Sequence, residues 1–303
     1  MVSANLVKQL REKTGAGMMD CKKALVESDG NFEAAEDWLK SKGLSAAAKK
    51  ADRVTAEGLT GIYVSGKQGA VVELNSETDF VARNENFQSL LTKICNSAIN
   101  SSNIDDLKLS KLDNGKTVEE EIKENIAVIG ENINLRRMDK ISVSEGVISS
   151  YVHNHEAPNM GKISVLVAFE SGADKQELKS FGRQIAMHIA AMRPQSLDIS
   201  SLDQNLVERE RNIFKDQARA SGKPENIIEK MVEGRVRKFY EEVVLEEQIF
   251  VIDGKTKIKD ALKQKGEELG SPIKLTSFVR FELGEGIEVE ESDFASEVEA
   301  VKK

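Results

Sequence analysis

Leu6, Val7 and Leu10 open the chain with an apolar stripe at helical spacing behind Ser3, whose hydroxyl suits an N-cap. The stripe has to stop near Thr14-Gly15-Ala16-Gly17, where glycine supplies the positive φ of a helix C-terminus. Met18 to Val26 predicts a second helix, with Ala24 and Leu25 on one side and Lys22 and Lys23 on the other. After the turn Ser28-Asp29-Gly30-Asn31, the positions Phe32, Ala35, Trp38 and Leu39 predict a third. Neighbours on a helix diverge by about 100°, so adjacent Met18 and Met19 cannot both face a three-helix core, and one of them is expected at the surface. From Leu44 to Thr55 the residues favour a helix but show no apolar face, which predicts an exposed helical connector.

The period then changes, and a pattern is repeated. Gly58-Leu59-Thr60-Gly61-Ile62-Tyr63-Val64 and Gly146-Val147-Ile148-Ser149-Ser150-Tyr151-Val152 each place a Tyr five residues after a Gly in a strand-like run. A second strand follows in each copy, Ala70 to Leu74 and Ile163 to Phe169, then an Asp-led helix, from Asp79 and from Asp174. Ile133 to Arg137 and Ile273 to Phe281 close the copies as third strands. Strand, strand, helical segment, strand, twice over, predicts an α+β core of two related halves built on antiparallel sheets with helices on one face. The helix of the second copy carries Leu178, Phe181, Ile185, His188 and Met192, and His188 on that stripe reads as a packed core histidine. Leu202, Leu206, Ile213 and Phe214 line a further helix ending at Ser221-Gly222. Pro224 opens its partner, with Ile228, Met231, Val232, Val236, Phe239 and Val243, and together they predict an inserted antiparallel helical hairpin. Ile287, Val289, Phe294, Val298 and Val301 space a short amphipathic helix in the tail.

The junction Glu73-Leu74-Asn75-Ser76-Glu77-Thr78-Asp79-Phe80-Val81-Ala82-Arg83 joins a strand pattern to the helix carrying Phe87, Leu90, Leu91, Ile94 and Ala98. Thr78 or Asp79 is suited to cap that helix, and Asp79 would also meet the positive end of its dipole. Phe80 has two readings, a hydrophobic staple between strand and helix or an outward-facing contact.

Length and charge narrow the function. A chain of 303 residues is expected to hold more than one substructure. Its 43 Lys and Arg against 51 Asp and Glu leave a net charge of −8, which argues against a polyanion partner and for a protein one. Cys21 and Cys95 form no C-x-x-C pair and read as reduced thiols, and no stretch approaches the roughly 20 apolar residues of a bilayer span, so a cytoplasmic protein is expected. Gly61 to Gln68 nearly fits a P-loop, but Gln68 stands where a magnesium-ligating hydroxyl belongs and Ile62 to Val64 read as strand. Gly15-x-Gly17 lacks the third glycine of a dinucleotide fingerprint. His153-Asn154-His155 reads as a hairpin tip followed by a lengthened loop to Met160.

Residues 73–83, E-L-N-S-E-T-D-F-V-A-R, resemble a signature of the elongation factor Ts family of guanine-nucleotide exchange factors, and L-R-E-K-T-G-A-G-M-M-D-C-K-K-A-L at 10–25 is similar to the other. The resemblance implies a ubiquitin-associated-like bundle at 1–44, a connector at 45–55, core subdomains at 56–140 and 141–283, a coiled-coil hairpin at about 201–247 and a C-terminal module at 284–303. It implies elongation factor Tu as partner, with Thr78, Asp79, Phe80 and Val81 projecting into it and Asp79 and Phe80 disturbing its magnesium site. Arg11, Met18 and Met19 would contact its nucleotide-binding domain, Ile129 and Gly130 would add a further contact, and His153, after Ser150-Tyr151-Val152, would reach its third domain. Ser292-Asp293-Phe294-Ala295 resembles the family's final partner-contacting module. No cofactor, metal or bond chemistry of its own is implied, and family members differ in whether they pair as dimers. The rival expectation is an adaptor that binds a translation factor without driving exchange.

Overall fold

The computed structural model describes residues 2–220 and 224–288. The chain runs α1 (Ala4–Thr14), α2 (Met18–Glu27), α3 (Phe32–Lys50), β1 (Glu57–Ser65), β2 (Gln68–Ser76), a 3-10 turn at Asp79–Arg83, α4 (Glu85–Ala98), α5 (Ile104–Leu109), α6 (Val118–Ile129) and β3 (Ile133–Ser142). It continues through β4 (Gly146–Ala157), β5 (Met160–Glu170), α7 (Lys175–Met192), α8 (Gln204–Ala220), α9 (Glu225–Val243), a 3-10 turn at Leu245–Glu247, α10 (Ile258–Glu268) and β6 (Lys274–Glu282). This is an α+β fold. It divides into two compact units, one of Met1–Thr60, Val72–Arg137 and Glu282–Lys303, the other of Gly61–Val71 and Met138–Phe281. Among the described residues no helix is long and apolar enough to cross a membrane.

In the first unit the opening stripe does what its spacing predicts. Val7, Leu10, Cys21, Ala24, Leu25 and Ala35 bury against one another, with Leu6, Phe32, Trp38 and Leu39 at the edge. Ser3 Oγ accepts from Leu6 N at 3.2 Å, and Gly15 ends α1 at φ +69°, where a side chain would be strained. Met18 and Met19 are both exposed, one more than the core argument required. The third helix does not stop at Leu44 but runs on to Lys50, because the alanine-rich stretch read as a connector does have one covered side, with Ala47 buried. A Cβ on Gly43 would stand 2.8 Å from Ala127 Cβ, so glycine there lets α3 and α6 approach closely. Thr117 and Glu120 form a reciprocal capping box at the start of α6, and Gly130 ends it at φ +89°.

The second unit holds part of every strand of a single six-stranded sheet, ordered β3-β2-β1-β5-β4 with β6 also on β5. The two copies of the repeat were expected to give separate sheets; instead their strands share this one. Leu178, Phe181, Ile185, Ala186 and Ile189 of α7 pack with Val147, Val165, Val167 and Phe169 of β4 and β5. Ile62, Val71, Ile148, Leu166, Val279 and Phe281, all on strands of this sheet, form a further buried cluster. α8 and α9 enclose Val207, Ala218, Ile228, Val232, Val236 and Val243, so most of the hairpin stripe is the seam between two helices, whereas Ile213, expected in it, is exposed. The expected loop after His153 is a correction: β4 continues to Ala157 and pairs with β5, His153 opposite Ile163, with a register shift between His155 and Ala157. Backbone pairing carries this arm, so its polar side chains do not stop the strand. The expected tail helix beyond Glu288 and the turn at 221–223 lie outside the described residues.

Candidate partner-binding site

β2 delivers the site from a buried floor. Glu73, Leu74, Asn75 and Ser76 are fully buried, and the chain surfaces only at Glu77. Thr78 then loses every free backbone group: its N–H donates to Glu131 Oε2 at 2.9 Å, and its carbonyl accepts from Ser76 Oγ at 2.9 Å. Its hydroxyl donates to Glu131 Oε1 at 2.7 Å. Glu77 answers from the same loop, its Oε1 accepting from Asn132 N at 2.6 Å and its Oε2 facing Arg53 Nη1 at 3.2 Å. Asp79–Arg83 winds into a 3-10 turn, where successive side chains diverge by about 120°. Val81 and Ala82 turn inward and are buried, while Phe80 is 79% exposed and Asp79 is exposed beside it. The staple reading of Phe80 fails on that figure. Burying such a ring would contribute about 1.5–3 kcal/mol, and the fold forgoes it.

The capping expectation is corrected as well. Neither Thr78 nor Asp79 caps α4; Asn84 does, its Oδ1 accepting from Asn86 N at 2.9 Å and Phe87 N at 3.4 Å. Thr78 precedes the 3-10 turn but makes no side-chain cap bond, its hydroxyl being committed to Glu131. Gln88 Nε2 donates to Ala82 O at 2.9 Å and ties the far side of the turn to α4.

Six residues before the turn, β2 carries a buried charge that the sequence pattern showed only as part of a strand. Glu73 is wholly buried, and its carboxylate meets Arg136 at 3.0 Å, Arg137, Asn75 Nδ2 at 3.1 Å and Gly284 N at 2.9 Å. Burial pushes its pKa up, but hydrogen bonds from Gly284, Arg137 and Asn75 outweigh it and hold the carboxyl below its ordinary value. Arg136 and Arg137 of β3 thus compensate a charge that β2 buries, and removing either would leave it less well satisfied.

The remaining sequence-predicted residues fall in different places. Ile129 is half-buried at the end of α6, and Gly130 caps it, its carbonyl accepting from Lys50 Nζ. Glu131 follows directly in sequence and holds Thr78 through its carboxylate. Arg11, Met18 and Met19 stand exposed on the first two helices. His153 is exposed on β4 in the second unit, its Nδ1 3.0 Å from Tyr151 Oη. Ser292 to Ala295 lie outside the described residues. Glu73, Glu77, Asn84 and Glu131 were missed as positioning groups. The available signal was Glu131-Asn132 directly after a helix-ending glycine, where polar groups tend to serve a neighbouring turn.

Comparison with known proteins gives the family of the chain. The family model described as Elongation factor TS matches residues 77–285. Elongation factor Ts of Rickettsia bellii is 60% identical over 303 residues, covering 100% of this chain and 98% of that protein. The protein of the same name from Rickettsia felis is 60% identical over 301 residues, 99% of this chain and 97% of its own, and that from Rickettsia typhi 58% identical over 303 residues, 100% and 98%. Identity of that order along the whole chain leaves no room for chance resemblance, and the chain belongs to the elongation factor Ts family of translation elongation factors.

Proposed function

We propose that this elongation factor binds elongation factor Tu in its GDP form and promotes GDP release by setting Phe80 and Asp79 against the magnesium and phosphate site of that partner, after which GTP rebinds. The observation that carries the reading is a Phe 79% exposed on a turn whose flanking residues are buried or hydrogen-bonded. Magnesium bridges the phosphates to the partner's own loop, so an apolar wedge and a carboxylate placed there remove a large local charge stabilisation. The chain makes and breaks no bond in this scheme. The work is done by linkage: a protein that binds the nucleotide-free partner more tightly than its GDP complex lowers the affinity for GDP by the same factor, about 150-fold for a coupling of about 3 kcal/mol.

Arg11, Met18 and Met19 on the bundle, Ile129 and Gly130 beside the turn, Val81 beneath it and His153 on the β4–β5 arm serve in this reading as further contacts or supports. Release of fluorescent GDP from elongation factor Tu, followed with and without the intact chain, tests it. The chain is expected to accelerate release in proportion to its concentration until saturation. Tight binding with an unchanged release rate would hand the function to an adaptor.

A further inference from the structure

We propose that Glu131 and Glu77 form a reciprocal carboxylate clamp that presets the Thr78–Phe80 turn before any partner arrives, with Glu131 the positioning residue for Phe80. The proposal rests on the exchange reading above and assigns work to residues that reading does not use. Two short segments exchange carboxylates. Glu131 receives both donors of Thr78, and Glu77, one residue before Thr78, receives the backbone N–H of Asn132, one residue after Glu131. The pair is closed from outside by the turn just past α3: Asn132 Nδ2 donates to Arg53 O at 2.9 Å and Ala51 O at 3.3 Å, and Arg53 reaches the Glu77 carboxylate.

Thr78 shows why this is more than ordinary loop packing. A threonine before a helical turn ordinarily spends its hydroxyl oxygen on that turn's free N–H groups. Here that local bond is absent and the hydroxyl points across to Glu131. The fold has exchanged a cap that would stabilise the turn internally for a tether that fixes where the turn stands. Charge-assisted bonds to one carboxylate hold both direction and distance, and a rigid anchor spares the cost of ordering the turn in the step where the ring enters the partner's site, after the chain has bound through its other contacts. Each turn residue left to be ordered on contact slows the productive step by about tenfold. The clamp also makes the 129–130 segment and the Phe80 turn one body, so contact at either positions the other.

The test compares the wild-type chain with Glu131→Ala, Glu131→Gln, Phe80→Ala and the double variant Phe80→Ala/Glu131→Ala, each checked for an unchanged thermal midpoint. Two readouts are taken: amide hydrogen exchange at Thr78 in the free chain, and the GDP-release rate from elongation factor Tu at saturating chain, with the half-saturating concentration. Glu131→Ala is expected to expose the Thr78 amide and to lower the saturated rate about tenfold, with the half-saturating concentration moved by less than about twofold. Glu131→Gln, which keeps one acceptor, is expected to recover part of that loss. In the Phe80→Ala background, Glu131→Ala is expected to change the rate no further, because the clamp acts through the ring. An undiminished rate in Glu131→Ala, an equal added loss without the ring, or a Thr78 amide unprotected in the wild-type chain overturns the clamp. A normal rate in Phe80→Ala alone overturns the exchange reading instead, and Thr78 protection still judges the clamp by itself.

Discussion

The chain leaves a buried strand for an amphipathic helix twice, and the two exits differ. After β5, Ser171-Gly172-Ala173 leads straight to Asp174, which caps α7 by accepting from Gln176 N at 2.9 Å and Glu177 N at 3.0 Å. Every local rule is obeyed there, and Leu178 and Phe181 turn inward. After β2 the Asp caps nothing, an extra 3-10 turn intervenes, Asn84 performs the capping, and a Phe is left in solvent. The aromatic residue that packs under α4 is Phe87, fully buried, so Phe80 is surplus to the core. Two junctions of one design, one consistent at every level and one departing at a single turn, make the departure the candidate site.

That contrast can be broken by substitution. Phe87→Ala is expected to cost about 3–5 kcal/mol of unfolding free energy through a cavity under α4, read as a lowered denaturant midpoint, and Phe181→Ala a comparable amount. Next in size is a pH effect confined to the second unit. His188 is buried with Nε2 2.9 Å from Gln248 Oε1 while Nδ1 accepts from Val251 N at 3.3 Å, an arrangement that fits the neutral ring. Burial depresses its pKa, with the Gln248 bond opposing. The unfolded chain therefore binds the proton first: stability from this group is fully present above the unfolded pKa near 6.5 and is lost as pH falls below it, by up to about 1.4 kcal/mol per pH unit. Denaturant titrations from pH 7.5 to 5 are expected to show that slope, and His188→Gln to remove it. Smaller still, Asp174→Ala is expected to cost about 1 kcal/mol for the lost cap. Asp79→Ala, with no cap bond to lose, should stay within about 0.5 kcal/mol of wild type in thermal melts.

The sequence was most legible where one period served one purpose. The N-terminal stripe, the α7 stripe and the α8–α9 seam were readable because burial and helical spacing coincide, and His188 was placed in the core on the same ground. The β4–β5 arm was not, since Asn154 to Asn159 carries turn-type residues and its pairing is carried by backbone groups that no side chain announces. The helical character of 44–50 was legible but its covered side was not, because the burial of Ala47 and the close approach of Gly43 to Ala127 call for small side chains rather than an apolar stripe. At the candidate site the exposed Phe was foreseen as one of two readings, but its supports were not: Glu73 meets Arg136 and Glu131 meets Thr78 across more than fifty residues of sequence. Pairings at that separation leave no local period, and polar residues near a turn are read as solvated by default.

The most direct test of the outward Phe80 as a working prong is the rate of GDP release from elongation factor Tu driven by Phe80→Ala, measured beside the thermal midpoint of the free variant. The account predicts a rate reduced at least about tenfold, the scale of one lost contact of about 1.4 kcal/mol, with the midpoint unchanged because the ring touches solvent. Wild-type release, or a collapsed midpoint, would contradict it.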